Sequence, residues 1–138
     1  MGTLQLLLVV VGVVVVGIAI VVGTNIFGSN SEEANKDAIT QDCLRMVSAA
    51  EGYFRKPSML GGGNNRFDNI NMSHLGMNEG ASPLETENIN GKYTITKAAE
   101  AVLEVTGASL RNPKSMVVVS IDMTATTEKR MIVDYQNW

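Results

Sequence analysis

The chain has 138 residues, with 11 Lys+Arg against 14 Asp+Glu, one His, one Cys and seven aromatics, enough for one domain or one domain with an appendage. A single cysteine, Cys43, excludes an internal disulfide framework and any paired-cysteine redox or metal motif. A net charge of −3 argues against a strongly basic nucleic-acid-binding face, so no nucleic-acid partner is indicated.

Charge is distributed very unevenly. The first charged side chain is Glu32, and Leu6 to Gly23 is an unbroken run of 18 apolar or glycine residues. At about 1.5 Å per residue such a run forms a helix of roughly 27 Å, close to the thickness of bilayer hydrocarbon. The nine Val and two Ile before Gly23 are mediocre helix formers in water. In lipid, helix is the open solution for a single segment, because the backbone must satisfy its own polar groups. Gly12, Ala19 and Gly23 fall near one helical face and Gly17 on another, so neighbouring helices could approach on more than one side. Three readings compete for this segment. A signal peptide lacks support, since Met1 to Gln5 holds no Lys or Arg. A plain membrane anchor fits the length but lacks basic flanking residues. The third reading is a packing helix, buried first in lipid and later among copies of itself.

The segment MGTLQLLLVVVGVVVVGIAIVVG resembles the mature N-terminus of a type IV pilin or pseudopilin. Met1 matches the methylated first position, Leu6 to Val11 the aliphatic start, and Ile18-Ala19-Ile20 the later run. The resemblance covers roughly the first 30 residues and the general layout beyond them. It implies a processed chain in which Met1 is a methylation candidate and not necessarily the initiator. It also implies filament assembly through Met1, Gln5, Leu6, Val9, Val10, Gly12 and Val13, continuing through Val16, Gly17, Ala19, Ile20 and Gly23. The partners implied are other copies of the chain in a helical homopolymer, the membrane before assembly, and a prepilin peptidase with its assembly machinery. Two departures stand out: Gln5 occupies the family's glutamate position, and Val22 stands where a helix-breaking proline is common. An amide can accept a hydrogen bond from a neighbour's amine but supplies no ionic attraction.

Thr24 to Ser31 contains Gly28 and several small polar residues, so it reads as a hinge or helix interruption, with a single continuous helix, disfavoured by Gly23 and Gly28, as the alternative. Ser29-x-x-Glu32 fits a capping box that opens a second helix. The domain reading is therefore 1–28, an apolar helix, and 29–138, a globular pilin-like head. From Ser31 to about Lys56 an apolar stripe runs through Ile39, Cys43, Met46, Val47, Ala50, Tyr53 and Phe54, at the 3.6-residue period, and Pro57 ends the helix. Cys43 lies in that stripe and reads as a core residue.

Pro57 to Asn65 is a loop by composition and expected to be flexible. Its Gly61-Gly62-Gly63 lacks the following Lys and Ser/Thr of a phosphate-binding loop. A short strand is expected around Phe67 to Met72. His74 has no partner at metal-ligand spacing and reads as a surface or partly packed residue. Asn71-Met-Ser73 matches a glycosylation acceptor, a three-residue match that carries little weight.

The remainder reads as an antiparallel meander. Asn90-Gly91 is a turn signal before the alternation of Lys92 to Lys97. Ala98 to Val105 suits helix or strand. Val117, Val119, Ile121 and Met123 face one way in one strand, and Met131, Val133 and Tyr135 do so in its hairpin partner. Trp138 is expected to fold back on the domain edge.

The fold class is α+β: a long apolar N-terminal helix, then an amphipathic helix packed on a small antiparallel sheet. One His and one Cys give no nucleophile–base grouping, and Glu85/Glu87 and Glu100/Glu104 lie on polar stretches. No enzyme activity, catalytic residue, metal or cofactor is expected. The resemblance implies a structural pilin of a surface filament, held in the cytoplasmic membrane before assembly. Alternatives are a pseudopilin of a type II secretion or DNA-uptake system, a monomeric single-span anchored binding domain, or cross-β assembly through VVVGVVVVG.

Overall fold

A computed structural model describes residues 2–138. One helix, α1, runs from Gly2 to Arg55 without interruption. It is followed by a loop region and five strands: β1 (Glu85–Glu87), β2 (Gly91–Ala98), β3 (Val102–Ser109), β4 (Met116–Asp122) and β5 (Met131–Gln136). The strands form one antiparallel sheet in sequence order. The architecture is α+β, as the sequence patterns predict. By internal contacts the chain divides into two compact units, Met1–Ala34 and Asn35–Trp138.

The expected break at the junction is absent. Thr24 turns its hydroxyl onto the Val21 carbonyl (3.0 Å), and Ser29 bonds the carbonyls of Asn25 (3.2 Å) and Ile26 (3.0 Å). Ser29 therefore caps no new helix. Small polar residues inside a helix satisfy their hydroxyls on the preceding turn, which lets them sit in an otherwise apolar rod.

In the second unit, α1 buries Ile39, Cys43, Met46, Val47, Ala50 and Tyr53, the stripe read from spacing. Opposite them lie Tyr93 and Ile95 of β2, Leu103 and Val105 of β3, and Val117, Val119 and Ile121 of β4. Alternation along each strand sends these residues to the helix side and their neighbours outward. Gly107 allows the helix to come close: a Cβ there would lie 2.6 Å from Ile39 Cγ2 and 2.9 Å from Cys43 Sγ. The ambiguous Ala98–Val105 segment resolves as a tight turn into β3, closed by the Ala99 amide donating to the Val102 carbonyl (2.9 Å).

The loop after α1 is closely packed. Gly63 and Asn65 amides donate to the Tyr53 (2.8 Å) and Phe54 (2.7 Å) carbonyls, and Asn64 N–H to Lys56 (3.0 Å). These bonds satisfy helix-end acceptors that would otherwise be orphaned. A side chain at Gly62 would collide with the Lys56 carbonyl, and one at Gly63 with the Arg66 carbonyl. The glycines serve close approach, and the expectation of a flexible loop is corrected accordingly.

The expected strand at Phe67–Met72 is not formed. The Ile70 amide donates to the Phe67 carbonyl (3.1 Å), a turn that lets Phe67, Ile70 and Met72 all enter the core, and Met72–Leu75 is a 3-10 turn. Asn71 caps that turn, its side-chain oxygen accepting from the His74 amide (3.1 Å). His74 is exposed and stacks at 4.5 Å on Tyr53. The β4–β5 hairpin has the expected register, with Val117 opposite Tyr135, Val119 opposite Val133 and Ile121 opposite Met131. Trp138 folds back, its indole N–H donating to the Met116 carbonyl (2.9 Å).

Candidate assembly surface on the apolar helix

The first unit is a helix with no polar face between Leu6 and Gly23. Every large aliphatic side chain from Leu4 to Val22 is 50–68% exposed. Among the described residues, the most apolar 18-residue window of the helix is 0% buried. An amphipathic helix can rest one side on a core or a surface, whereas a helix apolar all round needs an apolar environment on all sides. Among the described residues, α1 is the one helix long and apolar enough to cross a membrane.

The residues predicted for assembly distribute around this rod. Gln5, Leu6, Val9, Val10, Gly12, Val13, Val16, Gly17, Ala19 and Ile20 are exposed, and Gly23 is half-buried. The rod does not gather them into a pocket; they form a continuous cylindrical surface. A Cβ added at Gly12, Gly17 or Gly23 would meet nothing within 4 Å. At about 100° per residue, Gly12 and Gly17 point roughly 140° apart, so two sides of the rod carry notches. Such notches let a second helix backbone come near, and packing between apolar helices depends on that approach. Met1, the candidate methylation position, lies outside the described residues.

The ends of the rod differ in chemistry. Phe27 is exposed beyond the last aliphatic stretch. Glu32 and Glu33 follow, both exposed. Thr24 and Ser29 turn their hydroxyls back onto the preceding turn, which makes this polar stretch compatible with continued helix.

In the second unit, a hydrogen-bond network joins the helix to the sheet. Asp42 Oδ2 accepts from Tyr93 Oη (2.6 Å), Asn88 Nδ2 (2.9 Å) and Asn90 Nδ2 (3.0 Å), which ties the β1–β2 turn to the helix. Burial alone would push the Asp42 carboxyl up. The three hydrogen bonds and the nearby Arg45 outweigh burial and hold it below the usual carboxylate value. Burial, with Asp42 beside it, pushes the Cys43 thiol up to about 12. Asn35 Nδ2 donates to Ser109 Oγ (3.0 Å), and Lys36 sits 4.3 Å from the Tyr135 ring centre. The carboxylates noted in sequence are scattered: Glu85 pairs with Lys92 (3.1 Å), Glu100 with Arg66 (3.1 Å), and Glu104 accepts from Thr96 (2.6 Å). Among the described residues no group of three His, Cys, Asp or Glu side chains is arranged to hold a metal.

A 54-residue helix whose N-terminal part is apolar, followed by a five-stranded antiparallel sheet, is compatible with a pilin-like or membrane-anchored α+β protein. No protein-family model, curated protein or solved structure matches the chain.

Proposed function

We propose that this chain is a pilin, the structural subunit of a type IV pilus-like surface filament that polymerises through its apolar N-terminal helix. The observation carrying the reading is a helix apolar on every side from Leu6 to Gly23 whose most apolar window is unburied among the described residues. Before assembly, the cytoplasmic membrane surrounds this helix. After assembly, identical helices take the place of lipid, and the folded sheet-bearing units coat the outside of an extracellular fibre. Lipid tails are as apolar as the rod, so the transfer is driven by closer packing rather than by removal from water. The glycine notches favour that packing. A head-to-tail contact that does not close generates an open helical polymer.

The role is structural and non-catalytic, with other copies of the chain as principal partners and a prepilin peptidase and pilus assembly machinery acting on it. Gln5 lies close to the start of the helix, the region where the family docks a new subunit. A neutral Gln5 contributes about 0.5–1.5 kcal/mol through a hydrogen bond, so many aliphatic contacts outweigh it in holding the bundle.

The test is microscopy of material sheared from cells producing the chain, joined to mass spectrometry of its N-terminus. Long filaments whose subunits carry a methylated Met1 are expected. A chain found only as membrane-retained monomer contradicts the proposal and favours a single-span anchored domain.

A further inference from the structure

The two edges of the sheet are finished differently. At β1 the chain satisfies its own edge: the Glu85 amide donates to the Ser82 carbonyl (3.1 Å), and the Glu85 carbonyl accepts from the Gly80 amide (2.7 Å). At the opposite edge, the Asp122 amide donating to the Arg130 carbonyl (2.8 Å) sets the phase of the β4–β5 ladder. Antiparallel bonding alternates, so Ile132, Asp134 and Gln136 bond inward to β4, while Met131, Val133 and Tyr135 turn their amides and carbonyls outward. Among the described residues no backbone group pairs with those outward amides and carbonyls. β5 is exposed at five of its six positions. It holds no Lys or Pro and makes no bulge against β4, the devices that blunt an edge strand.

This open edge is complementary to itself. Outward groups must meet outward groups, so two antiparallel β5 strands can pair only in registers two residues apart. With Asp134 on the two-fold axis, two carboxylates would meet. With Ile132 on the axis, the two Ile132 side chains meet, and Met131 of each copy lies opposite Val133 of the other. Asp134 then comes beside the Lys129–Arg130 end of the second strand. That register matches apolar with apolar and opposite charge with opposite charge.

We propose that β5 of one copy pairs with β5 of a second copy in the Ile132-centred register, joining two filaments that run in opposite directions. The inference rests on the assembly reading. Direction follows from symmetry. An antiparallel sheet continued across two copies, with both helices on one face, has its two-fold axis along the sheet normal. That axis turns the stretch of α1 packed on the sheet, Ile39 to Tyr53, end for end. Copies within one head-to-tail filament all run the same way, so paired copies belong to different filaments. One contact forms about four backbone hydrogen bonds, too small to hold two isolated heads together. Repeated along a fibre, the contacts reinforce one another.

The experiment is electron microscopy of material sheared from cells producing wild type, Val133→Pro or Ile132→Lys at equal levels, with polarity read from averaged filament images. Val133→Pro removes an outward amide and leaves the β4 ladder intact, and Ile132→Lys places two like charges on the axis. Wild-type filaments are expected in lateral pairs or bundles of opposite polarity. The bundled fraction should fall at least tenfold in each variant, with filament yield and the thermal transition of the head unchanged. If Val133→Pro does not fold, Ile132→Lys decides, since its side chain is exposed on the outer face. Wild-type filaments that stay single, bundles of uniform polarity, or undiminished bundling in a folded variant overturn this inference and leave the assembly reading standing. No filament from any of the three proteins overturns the assembly reading, and this inference with it.

Discussion

Asp42 concentrates three hydrogen bonds on one carboxylate oxygen, and one donor is the hydroxyl of fully buried Tyr93. Asp42→Ala leaves that hydroxyl and two amides without their acceptor, at a cost of about 2–3 kcal/mol at neutral pH. For a domain near 100 residues, a loss of about 2 kcal/mol lowers Tm by roughly 8–16 °C, which thermal unfolding followed by near-ultraviolet circular dichroism measures. An unchanged Tm contradicts the pinning role. The pH dependence has a definite sign. The folded Asp42 carboxyl lies below its ordinary value, so its contribution is complete above that ordinary value, about 4. It is lost as pH falls through the lower folded value, and Asp42→Ala should lose less stability than wild type across that acid interval. Cys43 gives a second test at this scale. With its thiol pushed up to about 12 and its side chain fully buried, iodoacetamide at pH 8 should label it only as fast as the head unfolds. Labelling at the rate of a free thiol in the native protein contradicts the packing assigned to it.

At the scale of elements, the helix stripe from Ile39 to Tyr53 and the β4–β5 hairpin are legible in the sequence because burial there follows a local period. The junction is not. Gly28, Ser29 and Thr24 carry the composition of a turn, yet the hydroxyls bond back to the helix and the ladder continues. The stretch from Phe67 to Leu75 is also opaque, because its burial depends on contacts distant in sequence, such as the Phe67 amide with the Glu100 carbonyl (3.0 Å). The placement of Lys97 is opaque as well, because it reaches the outer face only through the bulge beside it. The apolar span of the helix is legible, since an unbroken apolar run needs no tertiary information. The division of the chain between 34 and 35 has a consequence for the elements. All of the buried core lies at Ile39 or beyond, so removing residues 1–28 removes no core side chain. Residues 29–138 alone should be monomeric in sedimentation and unfold in one cooperative thermal transition. Aggregation, or melting without a transition, contradicts the independence of that unit.

At the scale of the whole molecule, one chain joins two kinds of surface: a helix apolar on every side and a unit that buries its own core. No charged side chain precedes Glu32, so a carboxylate placed in the middle of the rod has no side-chain partner within it. Burying such a group costs several kcal/mol or forces it to take up a proton. Val13 lies well outside the core of the second unit, so Val13→Asp separates assembly from folding. The most direct measurement is electron microscopy of sheared surface material from cells producing wild type or Val13→Asp at equal levels, with the thermal unfolding of the head recorded for both. The account predicts filaments from wild type, none from Val13→Asp, and the same head transition in the two proteins. Equal filament yield from Val13→Asp, or wild type that forms no filament at all, would contradict it.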